Sequence, residues 1–274
     1  MATPTRPVLL TGASGALGRM LTRRLAAAGW TLRLSDIAAF PDPVPQGATF
    51  DAADLADQTA VDRIAEGCGL ILHFGGVSTE HPFKTVLGPN ICGLYNVYEA
   101  ARKNKARVVF ASSNHAIGFH ERTEKLDADC QLRPDGYYGL SKAFGELVGR
   151  LYWDKHGVET VVVRIGSSFP EVKDERMLST WLSFNDLASL MIACADAPAI
   201  GYAVIWGASD NQRSFWGADS RARIGWAPKD SADTAAENVR GKVTENCVIE
   251  RYQGGSYAAM DYSREEPSPR SLFE

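Results

Sequence analysis

The sequence predicts a doubly wound α/β protein: a parallel Rossmann sheet with helices on both faces and a small C-terminal substrate-binding region. Three observations carry this expectation. The apolar runs "VLL", "LRL", "LILHF", "RVVFA" and "TVVVRI" are short, rich in β-branched residues and without polar alternation, as suits strands buried on both faces. Helical patterns fill the intervals between them, the arrangement of crossovers in a parallel sheet. A glycine-spaced turn, "TGASGALG", joins the first run to the first helical pattern.

The elements follow in order. The first strand leads through Gly12, Gly15 and Gly18 into "LGRMLTRRLAAAG", where Leu17, Met20, Leu21 and Leu25 share a helical face and Gly29 is placed to cap the C-terminus. The second strand ends in "LRLSD", with Asp36 18 residues after Gly18. A third short strand precedes "DAADL" (Asp51 to Leu55), and the fourth precedes "FGGVS" (Phe74 to Ser78). In "LGPNICGLYNVYEAARK", Leu87, Ile91, Leu94, Tyr98 and Ala101 form one helical stripe, suited to the core or to a subunit contact. The fifth strand runs into "ASSNH", whose four consecutive polar side chains mark either a turn or a site. A helix carrying "YYGLSK" comes next, then the sixth strand. Beyond Ser167 the pattern is irregular, with a helix over about 185–196 and a strand near 203–206. These features divide the chain into a dinucleotide-binding core, 1–166, and a smaller substrate-binding region, 167–274, that is not an independent domain; no elements are assigned from about Lys229 on.

Composition narrows the partners. The 274 residues are 45% hydrophobic, enough for a sizeable core, and the net charge of −4 gives no basic footprint for nucleic acid or an anionic membrane surface. No apolar run approaches the ~20 residues that span a bilayer, and the opening residues lack a secretory leader pattern, so a cytoplasmic protein with a small-molecule ligand is expected. Five widely spaced cysteines without a C-x-x-C pair suggest neither a disulfide framework nor a zinc site. His115 and His120 have no recognisable ligand set around them, so no metal is expected.

Chemistry concentrates at two places. Glycines between a strand and a helix let a pyrophosphate approach the helix N-terminus, where free N–H groups and the dipole favour negative charge, although glycines also serve purely structural turns. Asp36 stands where an acid accepts hydrogen bonds from the adenosine ribose and repels a 2′-phosphate, favouring NAD over NADP; a solvated turn residue is the alternative. The cofactor set expected from this turn is Gly12, Ser14, Gly15, Ala16, Leu17, Gly18 and Asp36. From the later strand ends come Asp54, Leu55, Phe74, Gly75, Gly76 and Ser78, with Asn90, Lys142 and Ile165 completing it.

Tyr138 and Lys142 are neighbours at i and i+4 on one helix face, while Leu140, Phe144, Leu147 and Leu151 lie roughly 200° away. A nearby ammonium favours the phenolate, which makes the pair a candidate general base, with Ser113 placed to share the substrate oxygen. Arg176, beyond the sixth strand, is suited to a carboxylate or is simply a surface arginine. Asn114 and His115 are site residues or ordinary turn residues, and Ser112 and Ser167 fit either reading.

The combination of "TGASGALG", Asp36, Ser113 and "YGLSK" resembles the extended short-chain dehydrogenase/reductase superfamily, whose members use a Ser/Tyr/Lys set with a nicotinamide cofactor. More narrowly, "HFGGVS", "ASSNHAIG", "RPDGYYGLSKAFGE", "VVRIGSS" and "RMLSTW" are similar to the uronate dehydrogenase family, from the first strand to about Trp226 but poorly over the last forty or so residues. The resemblance implies NAD-dependent oxidation of galacturonate or glucuronate at C1, release of an aldarolactone, and a homo-oligomer. It implies Tyr138 as the base, Lys142 as the residue that lowers its pKa and holds the nicotinamide ribose, and Ser113 as the residue that orients the C1 hydroxyl. Ser78, Asn114, His115, Ser167 and Arg176 are implied to bind the sugar hydroxyls and carboxylate. Two other functions remain open. A nucleotide-sugar epimerase or dehydratase shares the glycine turn and the Tyr/Lys pair but needs a larger substrate domain than the hundred or so residues after the sixth strand. A non-catalytic NAD-sensing module tends to lose the Tyr/Lys pair.

Overall fold

The computed structural model describes residues 3–264. Its strands are β1 (Val8–Thr11), β2 (Leu32–Asp36), β3 (Ala48–Ala52), β4 (Leu70–His73), β5 (Arg107–Ser113), β6 (Thr160–Ile165) and β7 (Tyr202–Gly207). They form one sheet in the order β3-β2-β1-β4-β5-β6-β7, all pairs parallel. The connecting helices are α1 (Ala16–Ala27), α2 (Gln58–Ala65), α3 (Phe83–Val86), α4 (Gly93–Asn104), α5 (Tyr137–His156), α6 (Met177–Thr180) and α7 (Phe184–Asp196).

Alternate strand residues feed two cores. Leu10, Val109 and Val163 pack beneath α1 and α7 with Leu21, Leu25, Leu187 and Met191. Leu9, Phe110 and Val162 pack on the opposite face with Val61 and Ile64 of α2, Val97 of α4 and Val148 of α5. Each such side chain is worth about 1.5–3 kcal/mol in burial, which is why the strand runs show no polar alternation.

The expected C-terminal strand and helix are β7 and α7, part of the sheet and its helical layer. Two expectations are corrected. Asp51 and Ala52 lie inside β3 rather than after it. The stripe from Leu87 to Ala101 breaks: Leu94, Tyr98 and Ala101 are buried, but a π-helical turn over Leu87–Cys92 changes the residue period and leaves Leu87 exposed.

Helix α5 lies against the sheet by a face that includes several small residues. Its packed side carries Gly139, Ala143, Gly145 and Gly149, small enough for close approach to Phe110 and Tyr98, whereas Leu140, Leu147 and Leu151 point outward. The strand order reverses between β1 and β4, and the crevice at the carboxyl ends there is where a parallel α/β sheet binds its ligands. After β7 the chain continues through α8 (Ala236–Val239), α9 (Cys247–Arg251) and α10 (Ser256–Ala259) and returns over that edge: Gln253 N donates to His120 O and Gly254 N to Gly118 O. Among the described residues no helix is long and apolar enough to cross a membrane.

Candidate active site

On the β1 side the cleft is mostly backbone. Gly12 has φ +70°, and a Cβ there would lie 2.5 Å from Phe74 O; at Gly18 it would collide with Gly12 O. The turn therefore holds its shape only with glycine at these two positions. No side chain caps the N-terminus of α1 at Gly15, and its first turn carries no acidic residue, so its N–H groups are available to an anion beside Ser14 and Ala16. At the end of β2, Asp36 Oδ2 accepts from Ser14 N at 3.0 Å and Oδ1 from Ala38 N at 3.2 Å, which ties the carboxylate to the same turn.

Other residues expected at the cofactor also make contacts within the protein. Leu55 is buried and packs under Gly75 and Gly93, while exposed Asp54 accepts from Ala56 N. Asn90 sits in the π-helical turn, where its side chain accepts from Val77 N at 2.7 Å and donates to Val77 O and Ser141 Oγ, each at 2.9 Å. It braces the "FGGVS" loop.

A cavity of about 390 Å³ opens at the carboxyl ends of β4, β5 and β6. It brings together Leu17, Phe74, Gly75, Gly76, Ser78, Ser113, Asn114, His115, Tyr138, Lys142, Ile165, Ser167 and Arg176, residues far apart in sequence. A larger hollow, about 690 Å³, lies among Arg6, Lys105, Arg107 and His156 and contains none of these residues. There Arg6 already donates to the Gly67, Cys68 and Asn104 carbonyls and Arg107 to Glu159, so the smaller cavity is the candidate site.

Tyr138 and Lys142 are buried on the inner face of α5. Burial pushes the Tyr138 phenol well above its ordinary pKa, with the Ser113 hydroxyl beside it acting in the opposite direction. Burial also brings the Lys142 ammonium down to about 8. Lys142 Nζ donates to Ala111 O at 2.8 Å and stands 5.4 Å from the Tyr138 ring centroid. Ser113 Oγ accepts from His115 N at 3.2 Å, which leaves its O–H free to donate into the cavity.

Arg176 precedes α6. Its Nε and Nη2 donate to Gln253 O at 2.8 and 2.6 Å, and Nη1 reaches Ser167 Oγ at 3.4 Å. With the Asn114 amide oriented to donate to Ile165 O at 3.2 Å, its oxygen accepts from Arg176 Nη2 at 2.8 Å. Desolvation draws the guanidinium down to about 10, and among the described residues no carboxylate lies within ion-pair distance of it. Ser167 is also held by Thr180, hydroxyl to hydroxyl, at 2.9 Å.

Four residues at or around the cavity were not anticipated. Glu80 accepts from the N–H groups of Tyr137 and Tyr138, capping α5 from a distant loop. Asp135 meets His115 Nδ1 at 2.7 Å, and Tyr257 stacks on the His115 ring with centroids 4.0 Å apart. Gln253 has no exposed surface; its side chain accepts from Trp216 Nε1 and donates to Glu121 O and Glu124 O. Asp135 stands in "RPDGYYG", three residues before Tyr138, where a carboxylate next to a candidate helix was the available signal. Gln253 and Tyr257 lie in the stretch that shows no periodicity.

A glycine turn at the switch point of a parallel sheet, with a Tyr/Lys pair on the helix after the fifth strand, defines a nucleotide-linked oxidoreductase or epimerase site. Residues 8–227 match the NAD dependent epimerase/dehydratase family, and the chain belongs to that family. Its relatives narrow the group. It is 47% identical to uronate dehydrogenase of Pseudomonas putida over 259 residues, 93% of this chain and 97% of that protein. It is 45% identical to uronate dehydrogenase from Agrobacterium tumefaciens, solved as a mutant complexed with NAD, over 92% of this chain and 97% of that one, with a TM-score of 0.88. Glucuronic acid dehydrogenase from Chromohalobacter salexigens also gives 0.88, at 43% identity, over 92% of this chain and 96% of that one. Within the larger family, the chain groups with the uronate dehydrogenases.

Proposed function

We propose that the chain oxidises a hexuronic acid, galacturonate or glucuronate, at C1 with NAD and releases the aldarolactone. The observation that carries this reading is Arg176: a desolvated guanidinium with no carboxylate partner among the described residues, in the same cavity as Tyr138, Lys142 and Ser113. A desolvated cation without a counter-ion is costly, and a substrate carboxylate reaching Nη1 supplies one.

The residues present fit NAD. The uncapped α1 N-terminus and Gly12 receive a pyrophosphate, and Asp36 accepts from a ribose hydroxyl while disfavouring a 2′-phosphate. NAD, when bound, supplies the acceptor for the hydride that leaves C1. Tyr138 Oη, as the phenolate, takes the C1 hydroxyl proton, and Ser113 donates a hydrogen bond to the same oxygen. Lys142 provides the nearby positive charge and reaches the nicotinamide ribose. Ser78, Asn114, His115 and Ser167 bind the remaining sugar groups. The outward leucines of α5, with Leu147 at 62% and Leu151 at 54% exposure, support a homo-oligomer packed through that face.

NADH formation followed at 340 nm over free uronates, neutral aldoses and nucleotide sugars tests the reading. The expected result is turnover confined to the uronates. Equal turnover of neutral aldoses, or activity on nucleotide sugars alone, would replace it.

A further inference from the structure

We propose that Asp135 is a positioning residue that holds the neutral His115 ring in the Nδ1–H tautomer and thereby presents Nε2 to the cavity as a hydrogen-bond acceptor for a sugar hydroxyl. The proposal builds on the sugar-acid reading above.

Asp135 has no exposed side-chain surface, and its Oδ2 lies 2.7 Å from His115 Nδ1. A carboxylate only accepts, so Nδ1 is the donor and the lone pair of a neutral ring falls on Nε2. Asp135 Oδ1 has no partner, which leaves His115 as the one group its side chain bonds among the described residues. A buried carboxylate with so little compensation is a poor stabilising device.

Space is nevertheless reserved for it by separate segments. A Cβ at Gly118 or at Gly254 would collide with the Asp135 carboxylate, and one at Gly139 would lie 2.9 Å from Oδ1. Tyr257 covers the His115 ring in a near-parallel stack at 15°, and Tyr138 meets it at 65° with centroids 5.7 Å apart. The ring is therefore fixed at its Nδ1 edge and on its face. Nε2 makes no hydrogen bond among the described residues, and His115 lines the cavity beside Arg176 and Ser113.

An accepting Nε2 suits a hydroxyl and is unfavourable for a carboxylate, so it leaves the acid to Arg176. A site that accepts from a substrate hydroxyl also discriminates against an analogue without it. The two side chains thus read different parts of one sugar.

The test combines kinetics with a measurement that needs no substrate. Asp135→Asn keeps the shape but removes the charge and can turn either its oxygen or its NH₂ toward Nδ1, so one tautomer is no longer enforced. It should raise the uronate KM about tenfold, the scale of one lost hydrogen bond, with kcat changed less than about threefold. NAD affinity should be unchanged. In a His115→Ala background the same change should add less than about twofold, because it acts only through the ring. An equal effect in both backgrounds, or no change in KM, overturns the proposal. Nitrogen-15 spectra of the wild-type protein at pH 8 should show Nδ1 protonated and Nε2 bare; a protonated Nε2 also overturns it. That spectrum is informative even if no uronate is oxidised, in which case the functional reading fails and the tautomer assignment is judged separately.

Discussion

The β1 side of the cleft and the β5–β6 side are built in opposite ways. The first uses backbone: Gly12, Gly15 and Gly18, with the free N–H groups of α1, fall within a few residues, and Asp36 adds one carboxylate at the next strand end. The second uses side chains from separate segments: Ser113 to His115, Asp135 to Lys142, Ser167 to Arg176, and Gln253 to Tyr257. Burial on that side lowers Lys142 to about 8 and Arg176 to about 10 and raises Tyr138. An anion held at a helix terminus needs little enclosure, whereas proton transfer and carboxylate selection gain from a desolvated site. Substitutions on the two sides should therefore fail differently.

The largest effect is expected from Tyr138→Phe, which removes the proton acceptor and little volume. Turnover should fall at least ~10²-fold, while NAD affinity and thermal stability stay near wild type. Steady-state rates with NAD binding by fluorescence decide this, and a loss of only a few-fold would remove Tyr138 from the chemistry.

Arg176→Met comes next. Loss of one partner of a desolvated charge pair costs on the order of 2–5 kcal/mol, so kcat/KM for a uronate should fall roughly 30-fold or more. Arg176 also holds Gln253 O, so part of the loss comes from loosening that segment. A neutral hexose separates the two contributions, since it feels the loosening but carries no carboxylate. Equal losses on both sugars would leave Arg176 with a structural role alone.

On the backbone side, Asp36→Ala should weaken NAD about tenfold and shift preference toward NADP, with little change in kcat. The substitution also frees Ser14 N and Ala38 N, so some loosening of the turn is expected. An unchanged ratio of NAD to NADP affinity would show that Asp36 serves only the turn.

The same contrast explains what the sequence could reveal. The glycine turn was legible because its parts are local: spacing, strand and helix stand in one run. Tyr138 and Lys142 were legible because helical geometry fixes a four-residue interval. Asp135 stood beside them unread, because its partner His115 is 20 residues away and only the folded chain joins them. Gln253 and Tyr257 had no periodic pattern to mark them. The packing face of α5 was hard to read because much of it is glycine and alanine, which a hydrophobic pattern does not mark. β7 was recognised as a strand, but its place in the sheet depends on pairing with β6.

The smallest effect is expected where the two sides meet. Glu80 follows the "FGGVS" loop, and its two oxygens accept from Tyr137 N at 2.7 Å and Tyr138 N at 2.8 Å, whereas Gly136 at the N-cap supplies no side-chain bond. It also puts negative charge at the positive end of α5. Glu80→Gln retains one accepting oxygen, turns an NH₂ toward the second N–H and removes the charge. Lost caps and helix-end charges together are worth about 1–2 kcal/mol, which corresponds to a Tm decrease of a few degrees in a chain of this size. Tyr138 should stay close to its position, so kcat/KM should fall only about threefold, with NAD affinity nearly unchanged. Calorimetry and steady-state kinetics on the same preparation distinguish a joint from a reacting group. An unchanged Tm with a hundredfold loss of turnover would mean that Glu80 acts on the substrate itself, and the division of the cleft into a backbone side and a side-chain side would have to include the loop that joins them.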